Sequence, residues 1–173
     1  MKRPFPLKKI TATAILTSFA LISFLLESLL PPIFIPGARI GVSNIFILTT
    51  AILLGAPYAY FTLIAKTLLG SIFAGNISAV LYSLPSGLIA LTIELLALKL
   101  TLRVSITSIS VVGAVVNNLI QNVVFCLITG VWEYMSYTPY LIIIGALSGL
   151  IVGIIVYFII KVLPWSLFDK INK

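Results

Sequence analysis

Long apolar runs separated by short clusters of Gly, Pro and Asn alternate along the whole chain. A helix needs about 20 mostly apolar residues to cross a bilayer. Six runs approach or meet that length: 7–30, 40–54, 58–74, 82–100, 106–129 and 140–163. The second is short, and is expected to start inside the membrane or to run steeply. The breaks carry turn chemistry: Pro31-Pro32 and Pro36-Gly37, Gly55-Ala56-Pro57, Gly75-Asn76, the stretch from Lys99 to Arg103, and Gly130 to Pro139. No run alternates apolar and polar positions as a half-buried strand does, and lipid offers no partner for free backbone groups. The pattern therefore predicts an all-α, integral membrane bundle of about six transmembrane helices in a single domain, residues 1–173.

Basic residues orient the bundle. With the N-terminus inside, Lys2, Arg3, Lys8, Lys9, Lys99, Arg103, Lys161, Lys170 and Lys173 all fall at inner ends, against Arg39 alone in an outer loop. An odd number of crossings would scatter these charges, so the split predicts an even count with both termini cytoplasmic. Tyr134, Tyr137 and Tyr140 near one outer connection and Trp165 near the last inner end suit interfacial belts. The basic start resembles a signal peptide, but the apolar run from Ile10 to Leu30 exceeds a signal core of about 7–15 residues. A retained first helix is the expectation.

Composition narrows the class. Only 9% of residues are charged, against about 25% in soluble domains, so most of the outside must face hydrocarbon. The net charge of +7 would suggest nucleic acid if it formed a patch, but the basic residues sit at the ends of apolar runs and no nucleic-acid partner is expected. Cys126 is the only cysteine and His is absent. An internal disulfide is thereby excluded, and the commonest metal ligand and general base is missing.

Ionisable side chains inside a span cost about 3 kcal/mol on insertion scales and usually face protein or a water-filled cavity. Glu27, Lys66 and Glu94 are of this kind. Glu27 lies near the outer end of the first run at a depth similar to Arg39, so the two are placed to pair. Lys66 can reach toward Glu94 by snorkelling. Each pair reads either as a helix fastener or as part of a site, and external supply of a ligand tilts Glu27 and Arg39 toward function. In the fifth run Asn117, Asn118, Gln121 and Asn122 span an arc of about 140° at 100° per residue, with Thr129 on the same face. Two readings stand: a polar seam between helices, or the donor-and-acceptor wall of a cavity. Gly145, Gly149 and Gly153 recur every four residues in the sixth run and predict close helix packing. Ala14 and Ser18 form a weaker small-residue pair in the first.

Several chemistries lack their residues. There is no Walker-type phosphate loop, and without His no conventional Ser triad. The four acidic residues, Glu27, Glu94, Glu133 and Asp169, are far apart in sequence, so no carboxylate cluster for magnesium and a diphosphate is apparent. Neither a metal nor a cofactor is expected, and the chain reads as a binding protein, not an enzyme.

The segment from Glu27 to Asn44, with Pro36-Gly37-Ala38-Arg39-Ile40-Gly41, resembles the signature of the Gx transporter family, also labelled heptaprenyl diphosphate synthase component I. Lys66-Thr67-Leu68-Leu69-Gly70-Ser71, Tyr82-Ser83-Leu84-Pro85-Ser86-Gly87 and Gly113-Ala114-Val115-Val116-Asn117-Asn118 followed by Gln121 resemble its later blocks, in order. The family usually has His-Asn where this chain has Asn117-Asn118, a departure that weakens any proton-linked role. By size and layout the family is similar to the substrate-binding S components of energy-coupling factor (ECF) transporters. That resemblance implies a small-molecule substrate, a micronutrient or an isoprenoid- or flavin-like compound, captured outside the cytoplasmic membrane. It also implies a coupling protein and ATPase subunits as partners.

The expected site takes Arg39 for an anionic group, Asn44, Asn117, Asn118 and Gln121 for polar edges, and Trp132 and Tyr134 as an aromatic cover, around a mostly apolar pocket. Its walls would be residues 31–39, the amide face of the fifth helix and the connection around Trp132, Glu133 and Tyr134. The competing reading is a non-catalytic membrane accessory or scaffold subunit of isoprenoid, quinone or flavin-linked redox machinery.

Overall fold

A computed structural model describes residues 7–29, 41–100 and 104–163. These form six α-helices and one 3₁₀ helix, with no strand among the described residues. The helices are α1 (Leu7–Leu29), α2 (Asn44–Leu53), α3 (Ala56–Phe73), α4 (Ala79–Leu100), α5 (Ile106–Thr129) and α6 (Thr138–Val162); the 3₁₀ helix is Trp132–Tyr137.

The local sequence explains the boundaries. Gly55 takes φ 96°, a left-handed value open to glycine, and lets the chain reverse between α2 and α3. Pro57 in the first turn of α3 lacks only an N–H that would have no helical acceptor. Ser105 caps α5 by accepting from the Ser108 N–H at 3.1 Å, and Gly130 closes it at φ 73°. Pro85 lies inside α4, where it withdraws the N–H that would bond to the Leu81 carbonyl.

The helices are inside-out relative to a soluble protein. On α3, Thr62, Lys66, Thr67 and Ser71 are buried while Phe61, Ile64, Leu68 and Ile72 are exposed. On α6 the buried face is Gly145, Ser148, Gly149, Val152 and Gly153, and the exposed face is Ile143, Leu147, Leu150, Ile151 and Ile154. Such a distribution suits hydrocarbon outside and polar contacts within.

Among the described residues four helices are long and apolar enough to cross a membrane: α1, α4, α5, and α6 taken with the 3₁₀ helix. Of the about six spans expected from hydropathy, the second of them already short, these four meet the length requirement. Helix α2 has 10 residues and spans about 15 Å, half of the roughly 30 Å hydrocarbon core. It is buried nearly all round, through Ile45, Ile47, Leu48, Thr49, Thr50 and Ala51, and packs against α1, α3 and α6. A helix apolar on every side and enclosed by others is a core element. Helix α3 has 18 residues, but Lys66 and several hydroxyls interrupt its apolar run.

The closest helix pair is α5 with α6. A Cβ built on Gly149 would lie 2.7 Å from Val111 Cα, and one on Gly153 would lie 2.5 Å from Thr107 Cα. The glycine stripe therefore brings the two backbones together, as its spacing predicts. On the other side of the bundle, Phe24 of α1 rests on Gly70 of α3, and the Thr17 and Thr62 hydroxyls are 3.1 Å apart.

Candidate binding site

All six helices contribute to one central cavity, in the half of the bundle nearer the 3₁₀ helix. Phe24 and Glu27 come from α1, Asn44 from α2, Leu63 and Lys66 from α3, Ser83 and Gly87 from α4, Ala114, Asn117, Asn118 and Gln121 from α5, and Ser148 from α6, with Gly41 and Ser43 from the turn before α2. Non-atom space there amounts to about 500 Å³ including the open mouth, of which about 40 Å³ admits the centre of a water-sized sphere. One water needs about 10–15 Å³ by that measure, so the cavity as folded holds about three waters or a small polar group. Nine of its fourteen described lining residues are polar or charged, which makes this wall more polar than the mostly apolar pocket expected from sequence.

Lys66 is the buried cation of this wall, with 6% of its surface exposed. Its Nζ donates to Ser43 Oγ at 3.1 Å and stands 5.3 Å from the centre of the Phe24 ring, within cation–π range. The Glu27 carboxylate accepts from the Val42 backbone N–H and so ties α1 to the turn leading into α2. These groups add a cation, a carboxylate and a hydroxyl to the amides of the cavity wall.

The four amides of α5 do not act alike. Asn118 Nδ2 donates to the Leu141 carbonyl of α6 at 3.1 Å while its side chain also lines the cavity. Asn122 Nδ2 lies 3.2 Å from both the Tyr134 carbonyl and Thr138 Oγ1, fastening the 3₁₀ helix and the start of α6. Asn122 is not part of the cavity lining; Asn117 and Gln121 are.

Of the residues singled out in the sequence, Asn44, Asn117, Asn118 and Gln121 come together here with Glu27 and Lys66. Arg39, with the whole of the 31–39 connection, lies outside the described residues. Trp132 and Tyr134 lie outside the lining. Trp132 is 55% exposed, and the Tyr134 ring packs edge-on against Phe125 with centroids 5.1 Å apart. Phe125 in turn meets Tyr82 at 5.7 Å, so these aromatics join α4, α5 and the 3₁₀ helix to one another and leave the cavity uncovered by them. Glu94 lines a second, smaller cavity, with Asn44, Leu63, Gly87 and Asn117 shared between the two. Lys66 turns toward Ser43 and Phe24 in the first, and Glu94 faces the second.

Sequence reasoning missed Ser43, Phe24, Ser83, Gly87 and Ser148. The spacing of Lys66 offered one clue, since a buried ammonium demands an oxygen partner, but nothing in the sequence says that Ser43 supplies it. Two further buried hydroxyls on α3, Thr67 and Ser71, have no hydrogen-bond partner among the described residues.

Residues 16–159 match the family described as heptaprenyl diphosphate synthase component I. The chain belongs to that family. The match covers α2 to α5 and the 3₁₀ helix entirely, and α1 and α6 in greater part, so every residue of the central cavity falls inside the component I region. No curated protein and no solved structure matches the chain.

Proposed function

We propose that this chain is the substrate-binding membrane subunit of a small-molecule uptake system, comparable to the S component of an ECF-type transporter. The observation that carries this reading is the central cavity: nine polar or charged side chains gathered where six helices meet, in a bundle whose outer faces are apolar. Burying that much hydrogen-bonding capacity in a membrane is costly unless water or a ligand meets it. With the lysine-rich ends inside, α1 to α6 form six passes of the cytoplasmic membrane, two of them short, with both termini cytoplasmic. The cavity then lies in the outer half, where an external solute arrives.

Lys66 and the amides suit a polar, anion-bearing compound, or the polar head of a larger isoprenoid- or flavin-like one. Lys66 supplies charge, and Asn117, Asn118 and Gln121 supply donors and acceptors that do not titrate. Catalysis is not part of the proposal, since the chain offers four dispersed acidic residues and no histidine. Partners of this subunit would be a membrane coupling protein and ATPase subunits.

A second reading has its own support in the family name, which speaks of one component of a synthase. On that reading the chain is a non-catalytic membrane subunit that assembles with another synthase component, and the cavity is structural or holds lipid. Native mass spectrometry of the gently solubilised protein separates the two. The transport reading expects a polar small molecule retained by the wild type and lost from Lys66→Met. A protein that carries no polar adduct but co-purifies with a soluble synthase subunit overturns it.

A further inference from the structure

The second cavity lies where α2, α3, α4 and α5 converge, and among the described residues Glu94 is the only ionisable one in its lining. Glu94 shares it with two other polar side chains, Asn44 and Asn117. Among the described residues no hydrogen bond or ion pair is made by any of these three side chains. Gly113 makes the arrangement possible: a Cβ there would run into the Glu94 carboxyl, so the bare glycine lets the carboxylate lie against α5. At 1.5 Å per residue, Glu94 stands about 9 Å from the Leu100 end of α4, whose last turn carries Lys99, and Gly113 about 10 Å from the Ile106 start of α5. The remaining lining, including Ile47, Leu63 and Leu91, is apolar.

A carboxylate in such surroundings calls for a positive partner. Lys66 is the cation on the neighbouring wall, and its Nζ is turned into the central cavity toward Ser43. We infer that Glu94, Asn44 and Asn117 form a binding site for one sodium ion. About 20 Å³ admits the centre of a water-sized sphere, room for one to two waters or one small ion. The one carboxylate neutralises a single positive charge, and the two amide oxygens add neutral ligands. Calcium takes six to eight oxygens, and magnesium keeps several waters, so neither divalent ion fits. Because Asn44 and Asn117 line both cavities, the ion fixes two side chains of the central cavity's wall, and its occupancy is coupled to what that cavity holds.

The test needs no knowledge of the ligand, so it stands apart from the transport reading. Thermal unfolding of the full chain in detergent is compared in sodium chloride and choline chloride at equal ionic strength and pH. At ten times its dissociation constant a bound ion multiplies the folded-to-unfolded ratio about 11-fold, which for this size raises Tm by about 3–6 °C. That rise should saturate with sodium and vanish in Glu94→Gln and in Gly113→Ala, whose new methyl displaces the carboxylate. Direct binding of radioactive sodium to the wild type, competed by sodium chloride and not by choline chloride, gives the same answer without a variant. Equal melting in the two salts, no saturable sodium binding, or a sodium effect that survives Glu94→Gln overturns the site.

Discussion

Gly149→Ala should loosen the bundle at its tightest seam. The added Cβ would stand 2.7 Å from Val111 Cα, 2.8 Å from the Ser110 carbonyl oxygen and 2.9 Å from Ala114 Cβ. Backbone cannot turn aside as a side-chain tip can, so α5 and α6 must part. Restoring an ordinary 3.4 Å contact takes about 0.7 Å, and a gap of that size forfeits about a quarter to a half of each dispersion contact along the seam. Overpacking of this kind costs about 1–3 kcal/mol, while Ala gains up to about 1 kcal/mol over Gly in helix propensity. Because the clash is with backbone, the upper part of that cost, about 2–3 kcal/mol, applies, and a net loss of about 1–2 kcal/mol remains, or about 2–8 °C in Tm for a chain of this size. Gly87→Ala is the matched control, because the atoms nearest its Cβ all belong to the Leu63 side chain, the closest being Cδ1 at 2.9 Å, and a side-chain end can shift where backbone cannot. Thermal unfolding in detergent, read by fluorescence, should rank Gly149→Ala well below Gly87→Ala. The Asn118 bond to the Leu141 carbonyl should weaken with the seam, and ligand retention should fall with it. A Gly149→Ala protein that melts with the wild type, or above Gly87→Ala, would refute the close-packed seam.

Other changes probe the site more directly. Lys66→Met removes a charged donor; hydrogen bonds to charged groups contribute about 1.5–3 kcal/mol, so affinity for an anionic ligand should drop about 10- to 150-fold in a native-mass titration, and unchanged retention would remove Lys66 from the site. Asn122→Leu should lower Tm while leaving ligand retention near that of the wild type, because its contacts run to Tyr134 and Thr138; the reverse outcome would move Asn122 into the site. Thr67→Val replaces a buried hydroxyl that has no partner among the described residues, and relief of a desolvation penalty of about 1–3 kcal/mol should raise Tm. A fall in Tm would show that this hydroxyl is satisfied after all.

Much of the helix layout was legible because lipid imposes one rule on every span. The run at 106–129 coincides with α5, and 7–30 ends one residue beyond α1. Hydropathy erred where burial is by protein instead of lipid. Helix α2 begins at Asn44 and reaches only half-way, since its apolar residues answer to neighbouring helices. The 3₁₀ helix Trp132–Tyr137 was read as a connection, for six mixed aromatic and polar residues carry no period. In the site, Lys66 and the amides stood out by their cost at bilayer depth. Ser43 and Gly87 cost nothing there, and become part of a wall only when the fold brings distant segments together. The aromatic cover assigned to Trp132 and Tyr134 rested on their nearness to the outer connection. Phe125, one turn beyond Gln121 on α5, instead draws the Tyr134 ring onto itself.

The width of the amide arc on α5 now has a physical reason. Asn118 and Asn122 are one turn apart and donate to α6 and the 3₁₀ helix; Asn117 and Gln121, also one turn apart, form the adjacent row on the cavity side. A seam alone would need the first row, and interhelical hydrogen bonds of this type contribute only about 0.6–2 kcal/mol each. The second row adds nothing to that seam at Asn117, whose side chain makes no hydrogen bond among the described residues. The two roles therefore predict opposite responses on neighbouring positions of one helix. Asn118→Leu should cost stability and ligand together, since that side chain serves both rows. Asn117→Leu should spare the fold and strike only what the cavities hold, and a destabilised Asn117→Leu protein with ligand retention intact would return the whole arc to a structural seam.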